Sequence, residues 1–515
     1  MGDHADLSTA DRLFRYAISN APKNENAYWR LRSLLKHQGR IADTIALAQS
    51  FVKACPGSLR AKFALAEGYR FSGSLEQEKS AMRQLANELL ATEDDAQVEE
   101  PLRALLHNAP GFDIATGLMR QLTQRSARAT RVVFGSDPVQ QLSPRTDKLR
   151  IGYLSDAFCT SFTGHWLYAL LHRHDQHKVS VCAYALNARR DELTAQCEKA
   201  VGPIVATHGW TASRIADEMR SVGLDILVVA ADLEDERVAS LIQQRPAKMV
   251  IDLPIAGETI ARAAILRLSD SYLELPVAAD VYAAGALTLD RCVYPMPENI
   301  PGTKPKIDRA ALKIPQNAVV FAMAGKLETI SLRGVAMWKA LLDQLPTAHL
   351  LFAPEFVGHN DAYQKILAMA GIARSRVTLL SQTNHRAADR THHYSLADVV
   401  LDAVPANDVP AVMAALAAGI PVITLAGQLP GERAGASILN ALGVTDTVAA
   451  SGSQYVECAV RLATDSARRT QLGARMKSLL LQSQLVDLDG YVRAFEAALS
   501  DAAARVGTAE TTEAS

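Results

Sequence analysis

The chain has 515 residues, 49% hydrophobic and 21% charged, enough to bury several cores. Its 54 Lys and Arg against 55 Asp and Glu leave a formal charge of -1, which disfavours a dedicated nucleic-acid binder. The six cysteines are scattered with no CxxC pair, so neither a zinc site nor a disulfide framework is expected, and a reducing, cytoplasmic compartment fits.

The first ten residues are polar and carry Asp3 and Asp6, without the basic and apolar regions of a secretory signal, so the mature chain is expected to begin near Met1. Pro22, Ala27, Leu31 and Gly39 recur 34 positions later as Pro56, Ala61, Leu65 and Gly73, and Trp29 and Leu35 are matched by Phe63 and Tyr69. This is the tetratricopeptide period. Ala10, Phe14 and Ala17 occupy the small, large and small positions of that motif's second helix, so the array starts in mid-repeat. A helix pair leaves one apolar face uncovered, which extends the predicted stack through 75–90 and a helix after Pro101. Two roles stay open for this stack, a folding cap and a groove for a protein partner.

From 149 the pattern changes to short β-rich runs alternating with helices. Strands are predicted at 149–154, 179–184, 203–206, 225–230 and 248–253, with helices such as 163–173 and 212–222, the signature of a parallel doubly wound sheet. Five prolines between 295 and 315 mark an interdomain linker. A second series follows, with strands at 319–324, 349–353, 376–380, 398–403 and 421–425 and helices near 335–344, 361–369, 410–418 and 433–441. The uncharged run 409–431 is long enough to span a bilayer, but Gly419 and Pro421 split it into a helix and a strand, so no membrane span is expected. The expected organisation is therefore α-helical repeats over 1–140, then α/β, with Rossmann-like domains over 141–300 and 301–504 and a disordered tail at 505–515. A last helix over 491–499 is expected to pack back across the linker.

No GxGxxG follows the first strand, and neither GxxxxGK[ST] nor GxSxG occurs, which removes support for nicotinamide, P-loop and α/β-hydrolase chemistry. Candidate chemistry lies in three strand-end loops. In the first, 155–165, His165 falls in the opening turn of a helix, whose positive end would keep the imidazole neutral and ready to take a proton from a hydroxyl; a structural or exposed histidine is the alternative. In the second, 325–329, Lys326 stands where it would neutralise a phosphate leaving group, or else be a solvated surface lysine. In the third, 405–410, Asp408 or Asn407 caps the next helix and Pro410 suits its first turn; the bare N–H groups favour an anion that the Asp408 carboxylate opposes. No metal-ligand set and no resident cofactor is expected, a nucleotide sugar being a substrate.

Six ordered matches carry a family resemblance: Arg150-Ile-Gly-Tyr-Leu-Ser155, Val181-Cys-Ala-Tyr-Ala-Leu186, Ala336-Met-Trp-Lys-Ala-Leu-Leu342, Leu396-Ala-Asp-Val-Val-Leu-Asp402, Ala417-Ala-Gly-Ile-Pro-Val-Ile-Thr424 and Arg433-Ala-Gly-Ala-Ser437. Behind helical repeats, these resemble the O-GlcNAc transferase group, glycosyltransferase family 41, across about 149–499. The resemblance implies a two-domain GT-B fold and an inverting, metal-independent transfer of a sugar from a nucleotide donor to a protein hydroxyl. It implies that Thr163 and His165 are kept from the family's HPTSH loop, whose first histidine is replaced by Ser161. It sets Lys326 at a glutamine, Thr329 at the phosphate-binding lysine, and 408–414 (DVPAVMA) at the diphosphate-binding GHTTGMD. His165 and Lys326 are accordingly the catalytic candidates, and Thr163, Thr329, Asn407, Asp408 and Arg433 the substrate-binding ones.

The side-chain contacts of that diphosphate site, each worth ~1.5–3 kcal/mol, are replaced, so a standard UDP-GlcNAc site is not expected. Two readings remain open. One is a divergent transferase using another activated sugar, such as a monophosphate-linked one, on a bacterial surface or flagellar protein; the other is a non-catalytic scaffold on the same fold. If the protein is a transferase, His165 and Lys326 are expected to face each other across the interdomain cleft.

Overall fold

The computed structural model describes residues 2–112, 114–134, 148–233, 235–254, 265–275, 285–298, 308–325, 327–352, 360–380 and 394–508. Helices α1 (Gly2–Asn20), α2 (Glu25–His37), α3 (Ile41–Ala54), α4 (Leu59–Phe71), α5 (Leu75–Ala91), α6 (Asp95–Phe112) and α7 (Thr116–Phe134) come first. The 34-residue period reappears in their boundaries, since α2 and α4 start 34 residues apart, as do α3 and α5. Asn24 and Ser58 cap α2 and α4 by accepting the N–H groups of Ala27 and Ala61. The recurring Gly39 and Gly73 take φ of 66° and 71°, the left-handed geometry that closes both helices. Trp29 and Phe63 meet edge-on at 5.9 Å, and Arg32 lies over both rings while pairing with buried Glu67 at 2.5 Å. The third pair differs from expectation in one respect: α6 begins at Asp95 and runs through Pro101, whose missing N–H removes one interior hydrogen bond without ending the helix.

The first α/β domain holds β1 (Leu149–Ser155), α8 (Phe162–Arg173), β2 (Val179–Ala185), α9 (Glu192–Val201), β3 (Val205–Ala206), α10 (Ala212–Val222), β4 (Ile226–Ala230), α11 (Glu236–Gln243), β5 (Met249–Asp252), β6 (Leu266–Asp270) and β7 (Ala286–Leu289). Its parallel sheet runs β3-β2-β1-β4-β5-β6-β7. Strands β6 and β7 are additional to the five expected. In β6, Arg267 and Asp270 break the apolar run that advertises a strand, yet both are buried.

The second domain holds β8 (Val319–Met323), α12 (Leu332–Gln344), β9 (Ala348–Phe352), α13 (Asn360–Met369), β10 (Val377–Leu379), β11 (Val399–Leu401), α14 (Val409–Ala418), β12 (Val422–Leu425), α15 (Ala434–Ala441), β13 (Val448–Ala449), α16 (Gly452–Thr464) and α17 (Ser466–Leu480). Its parallel sheet runs β10-β9-β8-β11-β12-β13. In both sheets the order reverses beside the first strand, at β1/β4 and at β8/β11, and the crevice at the carboxyl ends there is where such sheets take ligands. The whole is a helical repeat stack followed by the two Rossmann-like halves of a GT-B fold. Gly419, at φ of 73°, splits the uncharged run as expected, and among the described residues no helix is long and apolar enough to cross a membrane.

The last helix, α18 (Leu488–Thr508), returns to the first domain, packs on α8 and β7, and buries Tyr491, Val492, Phe495 and Leu499. It runs past 505, where a disordered tail was expected; 509–515 lie outside the described residues, as do 299–307 of the expected linker. One apolar core, including Trp166, Tyr294, Phe321, Leu350 and Tyr491, continues through both sheets. Each side chain of that size contributes ~1.5–3 kcal/mol on burial, so the two halves are held by shared core as well as by the chain.

Candidate active site

Three loops of the two switch points carry the nominated residues other than Arg433, which follows β12. After β1, Ser161 caps α8, accepting the Gly164 N–H at 2.9 Å while its hydroxyl donates to the Cys159 carbonyl at 3.1 Å. The residue standing where the resemblance puts a first histidine is thus occupied in holding the helix end. Thr163 and His165 follow in the first turn, both half-buried. Burial holds the His165 imidazole below its ordinary pKa, against the pull of Asp191 and Glu298. The direction is the one anticipated for this ring, but its cause is burial where the helix end was expected.

After β8, the backbone turns at Gly325 with φ of 104°, and a Cβ there would stand 2.5 Å from Thr329 Oγ1 and 2.8 Å from Ala403 Cβ. Only glycine fits. Thr329 therefore folds back over the end of β8, closing the short turn Leu327–Thr329. Lys326 lies outside the described residues, and with it the expected juxtaposition with His165.

After β11, Asp408 caps α14, its Oδ1 accepting the Ala411 N–H at 2.9 Å, with Pro410 in the first turn. Asn407 is 3% exposed and does something else. Its Nδ2 donates to the Ala403 carbonyl at 3.2 Å and its Oδ1 accepts the Gly435 N–H at 3.0 Å, tying the loop to α15 with both ends of the amide engaged. Beneath them lies Asp402, which sequence reasoning did not nominate. Its Oδ1 accepts the N–H groups of Ala403 at 2.9 Å and Asp408 at 3.0 Å, and Oδ2 accepts the Thr424 hydroxyl at 2.8 Å. Burial, with the Asp408 charge adding to it, pushes this carboxyl up to about 7 in spite of those bonds. The one available signal was an acid placed directly after a wholly apolar strand, Val399–Leu401.

The domains join where β6 ends. Buried Asp270 accepts the Ser437 hydroxyl at 2.6 Å and the Val293 N–H at 2.9 Å on Oδ2, and the N–H groups of Tyr272 and Leu273 on Oδ1. Arg433 donates from Nε to the Tyr272 carbonyl at 2.7 Å and from Nη1 to the Gly427 carbonyl at 3.0 Å. Ser437 and Arg433 lie at the start of α15, after β12, so the carboxyl edges of the two sheets meet at one cleft. Arg433 spans that cleft, and its guanidinium is committed to backbone carbonyls on both sides. Among the described residues no cluster of three or more His, Cys, Asp or Glu is placed to hold a metal ion. The first domain thus carries an imidazole whose proton affinity burial lowers, and the second carries helix-start N–H groups with Asp402 and Asp408.

Residues 268–495 match the model of glycosyl transferase family 41. A probable UDP-N-acetylglucosamine–peptide N-acetylglucosaminyltransferase SPINDLY of Hordeum vulgare is 25% identical over 363 residues, 68% of this chain and 38% of the relative. A UDP-N-acetylglucosamine–peptide N-acetylglucosaminyltransferase of Caenorhabditis elegans is 29% identical over 202 residues, 39% of this chain and 17% of that one. The chain thus spans well under half the length of these curated relatives. Among solved structures, a mutant of the Thermobaculum terrenum O-GlcNAc transferase superposes with a TM-score of 0.76 at 22% identity, covering 99% of this chain and 96% of that one. That likeness is one of fold, and it includes the helical repeats.

Proposed function

Because the chain is an O-GlcNAc transferase-like member of glycosyltransferase family 41 through residues 268–495, we propose that it transfers a sugar from an activated nucleotide donor to a protein hydroxyl. The observation that carries the reading is the contact between the end of β6 and the start of α15, Asp270 with Ser437 and Tyr272 with Arg433, which brings the carboxyl ends of the two sheets together. In the proposed reaction the acceptor oxygen bonds to the anomeric carbon from the face opposite the leaving phosphate. The carbon–oxygen bond to that phosphate breaks, the nucleotide departs with the electron pair, and His165 orients the acceptor and takes its hydroxyl proton. Thr163 borders the acceptor, Lys326 offsets charge growing on the phosphate, and Thr329 and Asp408 edge the donor. Asn407 and Arg433 border it too, in this reading by holding the loops and domains in register.

The family's diphosphate position is filled here by a carboxylate that already takes a helix N–H, so we propose a donor whose phosphate charge is lower or is held toward Lys326. A protein acceptor reached along the helical repeats, with flagellin as the first candidate, completes the proposal. A non-catalytic scaffold is the second reading, favoured by the engagement of Ser161 and Asn407 in purely internal bonds.

Differential scanning calorimetry against UDP-, GDP-, CMP- and dTDP-sugars decides between them. A ligand at a hundred times its Kd stabilises the folded state by ~2.7 kcal/mol, which reads as a clear rise in Tm. A rise with one donor, followed by label transfer to protein, supports the transferase. An unmoved Tm across the panel leaves the scaffold.

A further inference from the structure

The helical repeats reach the loop after β8 directly. Arg70, in the last turn of α4, is 3% exposed and pairs through Nε with Glu78 Oε1 at 2.5 Å. Its Nη1 donates to the carbonyl of Ile330 at 2.7 Å and to that of Leu327 at 3.2 Å. These carbonyls bracket the turn that Thr329 closes. The next residue, Ser331, caps α12 by accepting the Gly334 N–H at 3.0 Å and donates to the Val404 carbonyl at 2.6 Å, in the loop that leads to Asp408. Hydrogen bonds on the neighbouring residues Ile330 and Ser331 therefore connect α4 to both switch-point loops of the second domain.

The docking around this line is close. A Cβ on Gly73 would lie 2.9 Å from Ala362 Cα, and Lys365 donates to Ser74 Oγ at 2.6 Å. Phe71 and Leu75 belong to the core of the Rossmann-like halves, and Leu429, from the loop after β12, belongs to the core of the repeats. A guanidinium that holds an acid and two carbonyls at once fixes their separation in a way a single point charge does not.

We infer that Arg70 is a positioning residue for the segment Leu327–Ser331, so that the repeat stack sets the geometry of the donor side of the cleft. The catalytic consequence rests on the transferase reading; the structural one does not. Arg70→Met combined with Glu78→Leu replaces the buried pair by side chains of similar volume, which keeps the interior packed without stranding a charge.

Hydrogen–deuterium exchange of the full chain then reads the segment itself. Amides of 327–334 are expected to exchange at least tenfold faster in the double variant, with β9, β12, α2 and α3 unchanged. In turnover of flagellin with UDP-, GDP-, CMP- and dTDP-sugars as probe donors, kcat with whichever donor the wild type uses is expected to fall at least tenfold with acceptor KM unmoved. Wild-type exchange over 327–334 overturns the inference, and so does equal acceleration throughout the second sheet, which marks a merely structural pair. If the wild-type chain itself turns over no donor, the transferase reading fails while the exchange result still decides the role of Arg70.

Discussion

Asp402 and Asp408 are six residues apart and answer to different demands. Asp408 is local, a helix cap whose role follows from the residues after it. Asp408→Ala is expected to cost ~1 kcal/mol in urea denaturation, whereas Asp408→Ser keeps the cap within a few tenths. The serine variant also removes a negative charge from a helix start, so UDP is expected to bind it several-fold more tightly than the wild type in calorimetric titration. Asp402 is tertiary, and its pKa, raised from 3.8 to about 7 by burial, means that the folded chain holds a proton that the unfolded chain has released. Its contribution to stability is therefore full below pH ~3.8, is lost as pH rises to about 7, and is constant above. Asp402→Asn should abolish that slope. Between pH 4 and 7 wild-type stability is expected to decline relative to the variant by on the order of a few kcal/mol, measured as paired denaturation curves.

At the scale of elements, periodic patterns made the strands and helices visible and their ends followed from caps and glycines. Helix 212–222 is Ala212–Val222, opened by Thr211 and closed by left-handed Gly223. What escaped were elements whose burial is bought with polar side chains. Strand β6 reads as mixed because Arg267 and Asp270 lie in it, and both are inside because each has a partner there, Arg267 in Glu274 seven residues on and Asp270 in Ser437 of the second domain. Helix α18 was foreseen as a short piece, but its importance is in where it lands. Tyr153 hydroxyl, His174 and Glu496 form a buried chain at 2.6 and 2.8 Å that clasps it to the first domain, with Phe495 packed beside the imidazole. Phe495 is fully buried, so Phe495→Ala is expected to destabilise the protein by ~3–5 kcal/mol, read from the shift of the denaturation midpoint at unchanged m.

At the scale of the molecule, the two sheets and the repeats act as one body through a few polar ties laid over a shared core. Asp270, Ser437 and Arg433 form the tie at the mouth of the cleft. The double change Arg433→Ala with Ser437→Ala leaves Asp270 with one donor fewer and frees the Tyr272 carbonyl, each loss worth ~1–3 kcal/mol. Scanning calorimetry is expected to show the wild-type transition broaden or split, because the halves then unfold with less mutual dependence. A transition of unchanged width and Tm would show that the apolar core alone couples them.

The repeat period, the two alternating series, the cap at Asp408 and the placing of three loops at strand ends were all written in the chain, because each depends on residues within a few turns of one another. So was the existence of a cleft between two sheets, but the contacts that join its sides were not. Arg70 meets a carbonyl 257 residues away, Ser437 an acid 167 residues away, and Arg433 a carbonyl 161 residues away. No local spacing encodes such pairs. They exist because two doubly wound sheets share a core and a helical stack docks against one of them. Burial in that assembly, not sequence position, lowers the pKa of His165, raises that of Asp402, and brings an arginine of the repeats onto the loop after β8.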